Sequence, residues 1–188
     1  MKKKTIVIVL VILAVIGLFV GLFVGSYNSL IEADEDANEK FATVDTMLTR
    51  RADLIPNLVS TVKGYAAHEE EIFTALADAR AKLAGSTTAD ETLEANAELE
   101  SALSRLLVVV ENYPDLKAST QFTALQDQLE GAENRIATAR VDYNEAVGEY
   151  NKKIRRFPAS IIAGMFGFEK KTMYEAPESD LDAPIVEF

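Results

Sequence analysis

Residues 120–157 read TQFTALQDQLEGAENRIATARVDYNEAVGEYNKKIRRF, and this stretch decides the fold. Its apolar residues recur at steps of three or four, the spacing that keeps side chains on one face of an α-helix. They are Phe122, Leu125, Leu129, Ala132, Ile136, Ala139, Tyr143, Val147, Tyr150, Ile154 and Phe157. The pattern predicts one long amphipathic helix over residues 119–157.

Three more helical segments precede this helix, at residues 28–51, 54–84 and 89–113. Asp53 can cap the second of them, and Pro56 then falls in its first turn, where a missing N–H is harmless. Thr88 and Glu91 have the spacing of a capping box that starts the third. Four amphipathic helices with short connections predict an all-α fold, an antiparallel up-and-down four-helix bundle over residues 26–158.

The N-terminus carries an uncharged apolar run at residues 5–24. A helix of this length spans the roughly 30 Å hydrocarbon core of a bilayer. We therefore expect a basic N-terminus and a single transmembrane helix within residues 1–25. A cleaved signal peptide is the alternative, although its apolar region usually runs only about 7–15 residues. Because Lys2, Lys3 and Lys4 precede the run, the N-terminus is expected in the cytoplasm and the bundle on the outer side of the cell (inner) membrane.

The composition limits the chemistry that the chain can perform. A formal net charge of −11 opposes binding to nucleic acid, so no nucleic-acid partner is expected. The chain has no cysteine, which excludes disulfides, iron–sulfur clusters and thiolate zinc sites. Apolar residues make up 48% of the chain, enough for one folded core.

Several longer motifs occur in a fixed order along the chain. They are RADLIPNLV at 51–59, VKGY at 62–65, ENYPDLK at 111–117, ENRI at 133–136 and FP at 157–158. In these motifs and their order, residues 27–168 resemble the LemA family. The resemblance implies a single-pass bacterial membrane protein with a four-helix bundle and no known catalytic activity or cofactor. It also hints at envelope maintenance or partnership with another membrane protein.

Signatures of catalysis are missing from the sequence. His68 is the only histidine and lacks the second histidine that a zincin helix places one turn later. No G-x-S-x-G elbow, P-loop or dinucleotide fingerprint occurs. The acidic cluster of Glu32, Asp34, Glu35 and Asp36 can attract divalent cations, or it forms the solvated start of a helix. We expect no catalytic, cofactor-binding or metal site.

Two charged residues fall where the apolar stripes of their helices would face inward. Arg51 and Glu69 would, if paired, fix the register of two helices, because a buried charge needs a close partner to replace its lost hydration. They form the candidate buried polar pair. The alternative is that the break near Asp53 turns Arg51 outward.

A basic and apolar segment at the end of the fourth helix is the candidate membrane interface. Its members are Lys152, Lys153, Arg155, Arg156, Phe157, Ile161, Ile162, Phe166 and Phe168. Bases that flank an apolar patch are typical of segments that lie on a membrane surface. The alternative is that residues 159–174 cap the core at one end of the bundle.

The last residues, 175–188, are acidic and contain two prolines, a composition that predicts a disordered tail. The chain ends in Val186-Glu187-Phe188, an apolar-x-apolar terminus of the kind that PDZ-type domains bind. Three residues form a weak motif, so this pattern alone predicts no partner.

These features predict a non-catalytic, membrane-anchored scaffold or interaction protein. Its expected partners are the lipid bilayer and a membrane or envelope protein that the sequence does not identify. One alternative is an enzyme whose carboxylates and arginines meet between the helices, and another is a sensor of envelope stress whose bundle opens on binding a ligand. An enzyme should show an apolar pocket with convergent polar groups inside the bundle, whereas a scaffold need not.

Overall fold

The structure of the protein, a computed structural model, describes residues 2–174. Seven helices lie in this part of the chain: α1 (Lys2–Ala52), α2 (Ile55–Lys63), α3 (Glu70–Gly85), α4 (Ala89–Val110), α5 (Pro114–Lys117), α6 (Thr120–Ile154) and α7 (Ala159–Phe166). No β-strand occurs within residues 2–174, so the predicted all-helical class is confirmed. The predicted tail over residues 175–188, with its terminal Val186–Phe188 motif, lies outside the described residues.

Contacts divide the chain into two compact units. Of the described residues, unit 1 comprises residues 2–39 together with Asn144–Met173, and unit 2 comprises Lys40–Tyr143 together with Tyr174. Each unit therefore combines segments that are distant in sequence, and each is described below by itself.

The first part of α1 is apolar and unburied. Its large side chains from Ile6 to Val24 are all exposed, from 38% at Phe23 to 68% at Phe19. Within residues 2–174, α1 is the one helix with the length and composition to cross a membrane. Apolar surface of this extent is unfavourable in water, whereas a helix in lipid satisfies all its backbone groups. This segment is a candidate membrane helix.

The predicted break after Arg51 is confirmed, but its cap is different. Helix α1 ends at Ala52, and α2 begins at Ile55 with Pro56 in its first turn. Asp53 does not cap α2: the N-cap position belongs to Leu54, and no side chain bonds the free N–H groups there. The Asp53 carboxylate instead lies 3.8 Å from Nη2 of Arg80 on α3.

The segment predicted as one helix over residues 54–84 is two helices. Helix α2 stops at Lys63 because the N–H groups of Tyr65 and Ala66 both donate to the carbonyl of Val62, at 2.9 Å each, and this closes the turn. Gly64 at the C-cap assists the break, since glycine is roughly 1 kcal/mol less favourable than alanine inside a helix. The apolar pattern continues through this turn, so periodicity alone missed it.

The later boundaries follow the sequence signals more closely. The predicted capping box is present at the start of α4, where the Thr88 hydroxyl accepts from the Glu91 N–H at 3.2 Å and the Glu91 carboxylate accepts from the Thr88 N–H at 3.2 Å. Helix α4 ends at Val110, before Pro114, which starts the short α5. Helix α6 stops three residues before the predicted end at residue 157.

The core of unit 1 joins α1 to α7. Leu30, Ile162 and Ala163 form its buried cluster, and the partly buried side chains packed on it are Tyr27, Ile154, Ala159 and Phe168. Since Tyr27 and Leu30 follow the apolar run of α1 directly, α7 packs on α1 just beyond the candidate membrane span.

The core of unit 2 is formed by the apolar stripes of its helices. Helices α3 and α4 pack along much of their length. Buried side chains come from every helix in this unit and include Val44, Leu48, Leu58, Leu76, Leu99, Leu106, Leu116, Phe122, Ile136 and Tyr143. The predicted seam positions of the fourth helix, from Phe122 to Tyr143, thus lie in the core, apart from the partly exposed Leu129.

Candidate functional site

Helix α7 has two faces with different surroundings. Ile162 and Ala163 are buried, at 1% and 4% exposure, whereas their neighbour Ile161 is 56% exposed and Met165 is 67% exposed. Phe157, two residues before the helix, is 82% exposed. The sequence posed a membrane interface and a core cap as alternatives, and in the structure the helix covers the core with one face and leaves the other apolar and open.

An aromatic cluster ties α7 to the end of the candidate span. The ring of Phe166 lies 4.8 Å from that of Tyr27 and 6.3 Å from that of Phe23, which belongs to the apolar run. Phe168 meets the same Tyr27 ring edge-on at 6.1 Å. Tyrosine, like Tyr27 here, is enriched at the boundary between lipid and water, because one end of its side chain is apolar and the other is polar.

The predicted basic residues surround the end of α6. Lys152 forms an ion pair with Glu149 at 2.7 Å. No carboxylate of the described residues lies within ion-pairing distance of Lys153, Arg155 or Arg156. The positive charge of this end lowers the pKa of Glu149, mainly through the hydrogen bond and charge of Lys152, with Arg156 and Lys153 adding to the effect.

An extended segment after α7 runs back along α6 within unit 1. Gly167 starts it in a left-handed conformation, with φ of 76°, which an L side chain would resist. Tyr150 donates its hydroxyl to the carbonyl of Glu169 at 2.8 Å. Asn151 receives the N–H of Lys171 at 3.0 Å and donates to the carbonyl of the same residue at 2.9 Å. No periodic pattern in the sequence predicted this segment.

The ammonium group of Lys171 fixes the segment to α1. It lies 3.0 Å from the Asp34 carboxylate and 2.7 Å from the Asn38 side-chain oxygen, and it stacks over the Tyr150 ring at 5.4 Å. Asp34 thus has a structural partner, while Glu32, Glu35 and Asp36 of the predicted acidic cluster are exposed. Among the described residues, no group of three or more histidines and carboxylates is arranged to hold a metal ion. His68 is exposed.

Unit 2 contains a second polar feature, a network centred on Arg51 at the end of α1. Arg51 is only 2% exposed, and its guanidinium contacts Asn96 and Glu100 on α4 as well as Glu133 on α6. Arg140 of α6 donates to Glu100 and lies 3.9 Å from Glu133. Asn96 also donates to Glu100 at 3.1 Å. These partners were not predicted from the sequence. The one signal for them was Asn96, a polar residue that interrupts the apolar stripe of α4.

The structure does not bring together Arg51 and Glu69, the predicted polar pair. The Glu69 carboxylate accepts a hydrogen bond from the Tyr113 hydroxyl at 3.1 Å, and this bond is the main cause of the raised pKa of Tyr113. Glu69 lies at the N-cap of α3, after the break that follows α2, so a stripe extrapolated across the break does not apply to it. The prediction that Arg51 is buried is correct, and the outward alternative is wrong.

Charge is balanced within the network, because Arg51 and Arg140 face Glu100 and Glu133. Burial raises the pKa of Glu100, but the hydrogen bond and charge of Arg140, with the charge of Arg51, outweigh burial and leave the pKa lowered. A carboxylate that is held ionised by two guanidiniums is a poor proton carrier near neutral pH. The arrangement is suited to joining three helices.

Tyr174 closes one side of this network. Its ring lies 5.1 Å from the guanidinium carbon of Arg140 and meets the Tyr143 ring edge-on at 5.7 Å. Burial raises the pKa of Tyr174 to about 12, against an opposing effect of the Arg140 charge. The phenol is therefore neutral, and it shields Arg140 from water over the physiological range.

An open groove of about 820 Å³ runs beside the network between α4 and α6. Its apolar lining includes Leu103, Leu107 and Leu129, and Arg51 and Glu133 lie on its wall. Leu107 is 43% exposed. The groove therefore combines apolar surface with charged groups, as is expected of a ligand site. A pocket of this kind was expected to distinguish an enzyme from a scaffold.

The fold and these sites define a helical protein with one candidate membrane helix and with polar groups that join helices. Within this class, the chain belongs to the LemA family: the family's sequence model matches residues 40–188. It is 29% identical over 186 residues to magnetosome proteins MamQ 1 and MamQ 2 of Paramagnetospirillum magneticum, covering 85% of this chain and 68% of theirs. It is 24% identical over 153 residues to Protein LemA of Metamycoplasma hominis, covering 80% of this chain and 69% of that protein. These findings confirm the resemblance drawn from the motifs.

Proposed function

We propose that the chain is a single-pass, membrane-anchored scaffold of the LemA type, without catalytic activity, that supports envelope organisation or a membrane partner protein. The observation that carries the proposal is the contact between α7 and the end of the apolar run, where Phe166 meets Phe23. If the apolar run spans the bilayer as proposed, this contact holds the exposed face of α7 beside the bilayer boundary. Helix α7 then lies in the interface as a second attachment, next to the membrane helix.

The helices of the scaffold form an antiparallel four-helix bundle in this proposal. Contacts within unit 2 support it, because Arg51 at the end of α1 meets both α4 and α6, and α3 packs along α4. A charge network of this kind favours one register of the helices over others, since a shifted register would leave charges unpaired.

The N-terminus is proposed to lie in the cytoplasm and the bundle on the outer side of the inner membrane. The support is the three lysines before the span, whereas the first base after it is Lys40. The relatives named MamQ are magnetosome proteins, and a membrane-organising role for this chain is consistent with that name.

A labelling experiment tests the interfacial position of α7. The chain has no cysteine, so the single variants Ile161→Cys and Val141→Cys each accept one nitroxide label. Both native side chains are exposed, at 56% and 65%, but Val141 lies in unit 2 on α6. In liposomes, the label at 161 should collide more with oxygen, which concentrates in lipid, and the label at 141 more with a water-soluble nickel chelate. Equal, water-like behaviour of the two labels would contradict the proposal.

The orientation has its own test with the same reagents. A membrane-impermeant maleimide added to spheroplasts should modify Val141→Cys without prior lysis. Modification that occurs only after lysis would place the bundle in the cytoplasm.

A site for catalysis between the helices is the second candidate, and the groove beside Arg51 is the observation that favours it. Glu133 is the more accessible carboxylate of the network, with a side chain 46% exposed, and would be the reacting group. Glu133→Gln keeps the shape of the side chain and removes the base. Complementation of a deletion strain by this variant supports the scaffold, whereas loss of complementation at unchanged stability and membrane level supports catalysis.

A further inference from the structure

Unit 1 contains a cleft of about 440 Å³ at the end of the candidate membrane span. On one wall lie Gly21, Gly25 and Ser29 of α1. The other wall, at the C-terminal end of α6, is formed by Lys153 and by Arg156, which follows the helix by two residues. The cleft thus runs from small residues in or next to the apolar run to two cations beyond it. One end of the cleft is therefore apolar and the other is positively charged, as suits the acyl chain and the anionic headgroup of a phospholipid.

The α1 wall of the cleft leaves space for a hydrocarbon chain. A Cβ atom added at Gly21 or at Gly25 would meet nothing within 4 Å, so no described side chain fills the space beside these glycines. A linear acyl chain packs well against a helix surface that lacks side chains, because the two can approach closely.

The α6 wall supplies the charge for an anionic headgroup. Lys153 is partly buried, and its ammonium donates only one long hydrogen bond, 3.4 Å to the Ser29 carbonyl, which leaves it further donors. Arg156 is exposed and forms no ion pair with the described residues. Glu149, whose pKa both cations help to lower, is already paired with Lys152. Two cations without a counter-ion on this wall favour an anion.

From this geometry we propose that the cleft binds one anionic phospholipid. Its phosphate lies between Lys153 and Arg156, and one acyl chain lies along the face of Gly21 and Gly25. This inference rests on the proposed membrane attachment and names the lipid chemistry that the same region recognises. The α7 helix then borders the bound lipid, because Ala159 at its start also lines the cleft.

Native mass spectrometry of the full chain, released from detergent with defined lipids, tests the proposal. Phosphatidylglycerol and phosphatidylcholine with the same acyl chains serve as anionic and zwitterionic probes. The protein should hold one phosphatidylglycerol and bind phosphatidylcholine much more weakly. Lys153→Gln with Arg156→Gln should weaken phosphatidylglycerol binding roughly 30-fold, since each hydrogen bond from a base to the phosphate contributes about a factor of five.

Two further variants separate the site from general charge and from folding. Arg155→Gln with Lys170→Gln removes the same charge from unit 1 at exposed residues that neither line the cleft nor pair with a described carboxylate, and the affinity should stay within about twofold of the wild type, because exposed charges away from the lipid are screened by salt. Gly25→Leu, at a position where a Cβ atom would meet nothing within 4 Å, fills the α1 wall and should also weaken binding. Circular dichroism should show unchanged helicity in all three variants.

Several results would overturn the inference. Equal weakening by both double variants would reduce it to non-specific charge attraction, and undiminished binding after Lys153→Gln with Arg156→Gln would remove the site. Competition by soluble glycerol phosphate at the same concentration as lipid would indicate a site for free phosphate. The nitroxide label at Ile161 reports on membrane attachment independently, so a lipid-exposed label together with unselective lipid binding would refute this inference alone.

Discussion

The ring of Phe166 lies 4.8 Å from the ring of Tyr27, and this contact joins the short helix α7 to the turn of α1 that leaves the apolar run. Both rings belong to unit 1, with the buried Leu30 and Ile162 beside them. Helix α7 is thus held in place by aromatic and aliphatic packing on one side only. Its other side, which carries Ile161 and Met165, is available for a separate function.

Two adjacent isoleucines should respond very differently to truncation. Ile162→Ala removes a side chain that is 1% exposed, and it should lower the free energy of unfolding by about 2–4 kcal/mol through lost burial and a residual cavity. Ile161→Ala, at 56% exposure, should change it by less than about 0.5 kcal/mol in detergent solution. Urea unfolding of the full chain measures both. Similar losses would mean that α7 does not have the two faces described.

Removal of Arg51 should destabilise unit 2. Arg51→Met leaves Glu100 and Glu133 without their buried partner, and we expect a loss of about 2 kcal/mol, below the 3–5 kcal/mol seen for fully buried pairs because both carboxylates are partly exposed. Arg135→Met, at an exposed position on α6, is the control and should be nearly neutral. A variant at position 51 that is as stable as the wild type would show that the network contributes little.

Glu100 should make the stability depend on acid pH. Its pKa is lowered in the folded state, so its contribution is present above the unfolded pKa of about 4.3 and is lost as the pH falls through the folded value. The free energy of unfolding of the wild type should therefore fall more steeply below about pH 4.3 than that of Glu100→Gln. Parallel curves for the two proteins would argue against the ion pairs with Arg140 and Arg51.

Tyr174 should make the stability of the fold depend on alkaline pH. Its pKa is raised from 10.0 to about 12, so the neutral phenol stabilises the fold below pH 10.0, and this contribution is lost as the pH rises towards 12. Tyr174→Phe cannot ionise and should show a smaller loss of stability over that interval. The absorbance of phenolate should also reveal one late-titrating tyrosine fewer in the variant. An unchanged titration curve would contradict the buried position of Tyr174.

The sequence was sufficient for the features that depend on local signals. The seam from Phe122 to Tyr143, the capping box at Thr88 and the stop before Pro114 all follow from spacing or backbone chemistry within a few residues. The family assignment likewise rested on contiguous motifs. These signals survive folding because neighbours in sequence remain neighbours in a helix.

The features that could not be predicted from the sequence depend on contacts between distant segments. Arg51 was correctly placed in the interior, but a charged residue carries no information on which of many carboxylates will meet it, and Glu100 and Glu133 lie 49 and 82 residues away. The break after Lys63 was missed because two hydrogen bonds to Val62 override an uninterrupted apolar pattern. The two faces of α7 could not be predicted either, because the residue that covers one of them, Leu30, belongs to the distant helix α1.

The paired hydrogen bonds between Asn151 and Lys171 have a consequence for sequence variation. Position 151 contributes a side chain, and only an amide can both accept and donate there in the same geometry. Position 171 contributes its backbone, so for this contact almost any residue is acceptable except proline, which has no N–H. These two hydrogen bonds therefore require asparagine, or a close mimic, at the first position and only an N–H at the second, where the contacts of the Lys171 ammonium with Asp34 and Asn38 impose a separate requirement for a basic side chain.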